Sequence, residues 1–153
     1  MARQYPEFEL CKKIMNYWRA QNPSVPSHLF HIPNEGKMSH RAGARLNHIG
    51  RRKGVADFCC IIPSGRYSQL WMEVKCGSNS PDDAQLQFLH DVRIQGAAAV
   101  VVWTIDEATS VLSSWMNDTP DNLGWMFETD TRKLRTAAYN AGATCDRTVT
   151  VFG

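Results

Sequence analysis

"GVADF" (residues 54–58) and "WMEVK" (residues 71–75) each set one acid inside a run that otherwise reads as buried β-strand. Between them lies the turn-like "PSGR" (63–66), so "VADFCCIIP" and "YSQLWMEVK" are predicted to form the two arms of a hairpin. With the turn centred on Gly65, Asp57 falls opposite Glu73, their Cβ atoms about 5 Å apart on one face. Lys75 shares that face, because side chains alternate along a strand. A slip of one residue would send the two acids to opposite faces.

Two facing carboxylates repel, and burying them is costly without compensating positive charge. A divalent cation compensates directly; Mg²⁺ takes one or two carboxylates and completes its shell with water and phosphate oxygens. Lys75 adds a mobile positive charge beside it. Such a set can bind a phosphate, lower the pKa of a water and stabilise the charge that builds during phosphodiester hydrolysis. The plainer reading is an ion pair on a solvated strand face. It sits badly with Phe58, Cys59, Cys60, Met72 and Val74 as flanking residues.

The surrounding sequence predicts helices on both sides of these strands. In "EFELCKKIMNYWRA" (7–20), Phe8, Cys11, Ile14, Met15 and Trp18 make an apolar stripe, with Lys12, Lys13 and Arg19 off it. Pro23 and Pro26 end that helix, and "HLFHIP" is a short strand candidate. In "SPDDAQLQFLHDVRIQG" (80–96), Ser80 reads as N-cap, Pro81 as N1 and Asp83 as N3 of a capping box. Phe88, Leu89 and Val92 form its buried stripe. "AAAVVVW" is then a strand covered on both faces, and "DEATSVLSSWM" another helix. The pattern weakens after residue 116, where "TRKLRTAAYNAG" reads as a helix and "RTVTVF" as a closing strand. The order of elements predicts an α/β fold, a central mixed sheet flanked by helices.

Positive charge concentrates in "MSHRAGARLNHIGRRK" (38–53). As a helix to about Ile49, it sets Arg41, Arg45 and His48 on one face and Ala42, Leu46 and Ile49 on another, with Gly50 closing it. With Lys37, Arg51, Arg52 and Lys53 this run leads into the acid-bearing strand, which suits phosphate binding beside it. The chain has 153 residues and a formal net charge of +2, too mild to name a partner. No apolar run reaches the roughly 20 residues of a membrane span, and "MARQYPEFEL" carries no secretion-signal pattern, so a cytoplasmic protein without membrane attachment is expected. Five cysteines without a CxxC spacing read as reduced thiols.

At these same residues the sequence resembles the PD-(D/E)xK nuclease superfamily, in which an Asp precedes an E-x-K tripeptide on the next strand. "HIPNEGK", the basic stretch, "GVADF", "WMEVK", the Gln85-to-Phe88 spacing and "GAAAVVVW" together are similar to the VRR-NUC family, from about Glu7 to Leu112. The resemblance implies a restriction-endonuclease-like fold over residues 1–116; residues 117–153 lie outside it and are expected to be a C-terminal extension packed on the core or at a dimer interface. It implies Mg²⁺-dependent cleavage of DNA, with Mn²⁺ able to substitute. Asp57, Glu73 and the Val74 carbonyl would ligate metal, and Lys75 would orient or activate the water. Gln85 and Glu35 would belong to the catalytic set, with Glu7 a further acid. Stand-alone relatives imply a homodimeric resolvase of branched or four-way-junction DNA, in DNA repair or replication of bacterial or phage origin. Ala56 stands where proline is commoner, and Cys11 where glutamine often follows the first-helix acid. The competing class is a non-catalytic DNA- or protein-binding module on a nuclease scaffold. The intact trio of Asp57, Glu73 and Lys75 speaks against it.

Overall fold

The computed structural model describes residues 6–33, 39–120 and 150–152. In chain order these form α1 (Pro6–Gln21), β1 (Leu29–His31), α2 (His40–His48), β2 (Phe58–Cys60), β3 (Leu70–Val74), α3 (Asp83–Ile94), β4 (Ala98–Val102), α4 (Ile105–Met116) and β5 (Thr150–Phe152). The strands lie side by side in sequence order as one five-stranded sheet. Among the described residues only β3 and β4 pair in parallel. A parallel neighbour requires a crossover, and α3 supplies it.

Alternation along the strands sorts the core into two layers. Leu70, Met72 and Val74 point the same way as Phe58, Cys60, Ala98, Val100 and Val102, into a layer sealed by Leu10, Ile14 and Trp18 of α1 and Val111, Leu112 and Trp115 of α4. Ala99 and Val101 point the other way, where Leu86, Phe88 and Leu89 of α3 cover them and Trp71 packs alongside. The same alternation turns Glu73 and Lys75 toward the α3 face. β4 is buried along its whole length because helices close both of its faces.

The hairpin register is the expected one, but for a different local reason. Phe58 pairs with Met72 and Cys60 with Leu70, which is the alignment that brings Asp57 opposite Glu73. The tip itself closes between Ser64 and Tyr67, so its centre falls between Gly65 and Arg66. Three residues (61–63) on one arm then face two (68–69) on the other, and this bulge-like excess restores the strand register. The irregular arm is fastened to α4: Trp115 Nε1 donates to the Ile62 carbonyl at 2.8 Å, and Ser64 Oγ donates to the Trp115 carbonyl at 2.7 Å.

Two further expectations need correction. The α3 N-cap is Asp82, not Ser80; Asp82 and Gln85 form the capping box, and the helix begins at Asp83 rather than Pro81. The buried stripe of α1 is Leu10, Ile14 and Trp18, while Phe8 stands 63% exposed. A stripe through positions 10, 14 and 18 follows an i, i+4, i+8 ridge, which seats these side chains against the sheet and turns Phe8 away. The helix expected over "TRKLRTAAYNAG" lies outside the described residues; the last strand is β5, antiparallel to β4. No helix among the described residues is long and apolar enough to cross a membrane.

Candidate active site

Glu73 is 1% exposed and Lys75 7%. A charge so far from water needs a partner within hydrogen-bond reach, and the strand provides one two residues on: Lys75 Nζ lies 2.8 Å from Glu73 Oε1. The same oxygen accepts a hydrogen bond from Gln85 Nε2 at 2.5 Å. Gln85 can aim its amide nitrogen there because its other end is occupied. Its Oε1 accepts the Asp82 backbone N–H at 2.9 Å, while Asp82 Oδ1 accepts the Gln85 N–H at 2.8 Å. The helix cap therefore fixes the orientation of a side chain whose far end reaches the buried acid.

Asp57 is half-buried immediately before β2. Its Oδ2 accepts the Val74 backbone N–H at 2.7 Å, and its carbonyl accepts the N–H of Ile32 at 2.7 Å. Both acids thus sit at one end of the sheet, bound to the last residues of β3. Glu7, in the first turn of α1, is half-buried close by. Burial alone would push the Lys75 ammonium pKa down. The charge and hydrogen bond of Glu73, with the charges of Glu7 and Asp57, outweigh it, so the pKa ends above its usual value. The Cys11 thiol is pushed up to about 12, by burial first and then by the charges of Asp57, Glu7, Cys76 and Glu73. Asp57, Glu73 and Glu7 thus gather negative charge at this end of the molecule, with Lys75 as the cation among them.

Such a field suits a hard cation. The donor set is two carboxylates and nearby backbone carbonyls, the oxygen chemistry that Mg²⁺ and Mn²⁺ accept while keeping several waters. Among the described residues no group of three or more His, Cys, Asp or Glu side chains stands at metal-holding spacing. The pair Asp57 and Glu73, which lie at one end of the sheet beside Val74, is the two-carboxylate set that could hold one together with waters.

The basic residues divide into two groups. Arg41, Arg45 and His48 are exposed on α2, a helix without buried residues that Ser39 caps through a hydrogen bond from the Ala42 N–H. Lys53 is exposed and Arg51 half-buried. Arg52 instead is ion-paired with Asp91 of α3 and stacked over the Phe88 ring, 5.1 Å from guanidinium carbon to ring centroid. The Arg52 guanidinium first, then the Gln87 amide, hold the Asp91 carboxyl below its usual pKa. Glu35 and Lys37 lie outside the described residues. Sequence reasoning missed the Arg52–Asp91 pair and the double duty of Gln85. The Asp-x-x-Gln spacing at Asp82 was the available signal for the second.

Gly54 ties the basic loop to the acid site. Its φ is +75°, and a Cβ there would stand 2.3 Å from the Ala84 carbonyl carbon and 2.5 Å from the Gln85 nitrogen. These are backbone atoms of the first turn of α3, which cannot yield without moving Gln85.

No protein-family model matches this chain, and no curated protein sequence matches it. A solved structure described as a "VRR_NUC domain protein" does match, with 24% identity, a TM-score of 0.64, and coverage of 75% of this chain and 91% of that one. The likeness shows the fold: the expected α/β architecture of a mixed sheet flanked by helices is the one found.

Two outcomes follow from this geometry. Gly54→Ala combines a left-handed φ with a backbone collision and is expected to lower stability by about 2–4 kcal/mol, measured as a reduced urea midpoint. Gly50, at φ +89° with open space around its Cβ position, should tolerate the same change better. The thiolate is the reactive form of cysteine, so Cys11 should alkylate slowly at mildly alkaline pH and faster as pH climbs toward about 12. Asp57→Asn removes a charge that opposes thiolate formation and should speed Cys11 modification at fixed pH in EDTA; an unchanged rate would mean that Asp57 does not face α1.

Proposed function

We propose that this chain, with the fold of a VRR_NUC domain protein, is a metal-dependent nuclease that hydrolyses DNA phosphodiester bonds. The observation that carries this reading is the convergence of Asp57, Glu73, Lys75 and Gln85 at one end of the sheet, with the Glu73–Lys75 pair buried at 2.8 Å. A buried ion pair contributes little net stability, so stability alone is a poor reason for one on a strand otherwise filled by Leu70, Met72 and Val74.

Asp57 and Glu73 are the proposed ligands, with the Val74 carbonyl beside them. When bound, Mg²⁺ or Mn²⁺ supplies Lewis-acid stabilisation of a phosphoryl oxygen and a water of lowered pKa. Gln85 holds Glu73 by Oε1 and so sets the direction in which that carboxylate faces. Lys75, 2.8 Å from Glu73, is placed to orient or activate the attacking water and to meet negative charge on the phosphate. Arg41, Arg45, His48, Arg51 and Lys53 would engage flanking phosphates, making binding steeply salt-dependent. Arg52, matched by Asp91, holds the loop in place. Glu35, Lys37 and Glu7 complete the proposed set. In its finer form the reading is cleavage of branched DNA, four-way junctions included, by a homodimer that offers two equivalent sites to a symmetric substrate.

Purified protein incubated with Mg²⁺ or Mn²⁺ and labelled duplex, flap, splayed-arm and four-way-junction DNA is expected to cut the branched forms preferentially. Lys75→Ala is a poor control, because it strands a buried carboxylate at a cost of about 3–5 kcal/mol. Glu73→Gln also costs stability, since it takes the counter-charge from the buried Lys75. But it keeps the shape and an acceptor oxygen for both Lys75 and Gln85, and thermal melting checks that the fold persists. The substitution should lower cleavage by about a hundredfold or more while leaving the circular dichroism spectrum unchanged. Wild-type rates from Glu73→Gln would remove this mechanism. Tight DNA binding without cleavage by the wild type would assign the chain to the non-catalytic class.

A further inference from the structure

The outward ridge of α1 plays no part in the site described above. Phe8, Lys12, Met15 and Arg19 recur at i, i+4, i+7 and i+11 and so line one face of the helix, away from the buried Leu10, Ile14 and Trp18. Phe8 holds an aromatic ring in water at 63% exposure. The Lys12 ammonium stands 6.0 Å from that ring's centroid and also pairs with Glu9 at 3.3 Å, both side chains exposed. Between this ridge and strands β1 and β2 lies a cavity of about 290 Å³, lined by Phe8, Cys11, Met15, His31 and Phe58 together with Lys12 and Arg19. A second cavity of about 380 Å³ shares Met15, Arg19 and His31 and extends to Phe30 and Pro26. The shared walls make one groove along α1 and the edge strand.

The groove starts at the end of the sheet that carries the acids. Phe58 directly follows Asp57, and Ile32, the neighbour of His31, donates its N–H to the Asp57 carbonyl at 2.7 Å. Cys11 forms part of the wall and feels the charges of Asp57, Glu7 and Glu73. His31 stands edge-on to Phe58, ring centroids 5.1 Å apart.

Exposed aromatic rings interleaved with cations are the surface that an unpaired nucleic-acid strand requires. Bases stack on the rings and phosphates meet the cations. A duplex keeps its bases in its own stack and has nothing to place in a pocket of this kind. The cavity volume lies near the lower bound of small-ligand pockets, about 300 Å³.

We propose that this groove takes up the unpaired strand of a branched DNA, seating a base against Phe8 and His31 while neighbouring phosphates meet Lys12 and Arg19. The proposal rests on the nuclease reading and deepens it, because it names a single-stranded arm continuous with the scissile phosphate as part of the substrate.

The test is fluorescence anisotropy on the full chain in EDTA, where no cutting occurs, with a blunt duplex and the same duplex carrying an oligothymidine tail. The tail should tighten wild-type binding. Phe8→Ala and Arg19→Ala should each weaken binding to the tailed DNA on the order of tenfold and leave the blunt duplex unaffected. Phe8→Trp should restore tail binding. Phe8 is exposed, so its replacement leaves the core intact, which thermal melting checks. Equal effects of Phe8→Ala on tailed and blunt DNA, or no effect on either, would overturn the proposal. So would a concentration-dependent doubling of mass that Phe8→Ala abolishes without any tail preference, which would assign the ridge to a second copy. Normal junction cutting without tail preference would sink the groove alone. Tail preference without cutting under Mg²⁺ would support the groove and sink the nuclease reading.

Discussion

A carboxylate with almost no contact with water is the constraint around which this molecule is arranged. Removing a charge of that kind from solvent costs several kcal/mol even after relaxation, and the chain offsets that cost from two directions. Lys75 reaches Glu73 from two residues along the same strand. Gln85 reaches it from the first turn of the crossover helix, held in orientation by the cap it forms with Asp82. Asp57, anchored to the Val74 N–H, works the other way and adds a second negative charge nearby. The excess of negative charge left at this end of the sheet is the electrostatic condition under which a hard divalent cation binds.

The crossover helix couples this centre to the surface. Its first turn supplies Gln85 and receives Gly54 in backbone contact. Its middle supplies Phe88 and Asp91, on which Arg52 rests. The loop that carries the positive charge is thereby fixed to the element that orients the buried acid. A phosphate drawn in by the basic run would meet a site whose geometry depends on the same helix.

Much of this was legible in the sequence, for reasons that differ from residue to residue. Strand alternation placed Glu73 and Lys75 on one face, and period alone decides that question. The hairpin register expected from the sequence is the one found, although the turn centre lies half a residue further on. The extra residue in the arm at 61–63 compensates; Pro63, which has no N–H to give a ladder, is its local mark, and the anchorage of this arm to Trp115 is a contact that no local pattern shows. The α3 cap was misread because Ser80 and Asp82 are both good caps, and only the reach of Gln85 back to the Asp82 N–H decides between them. Phe8 was assigned to the core by its hydrophobicity. Whether an aromatic on a helix faces the sheet or the solvent depends on helix rotation, which tertiary packing sets. The Arg52–Asp91 pair spans distant parts of the chain, and single-sequence patterns carry no information about such a contact.

Manganese titration, followed by electron paramagnetic resonance on the purified chain, tests the central claim most directly. Free Mn²⁺ gives a strong six-line signal that fades on binding. The wild type should quench it saturably, Asp57→Asn and Glu73→Gln should each weaken that quenching, and Asp91→Asn, on the far flank of α3, should leave it intact. Quenching by the wild type that neither substitution at the acid pair alters would contradict the account.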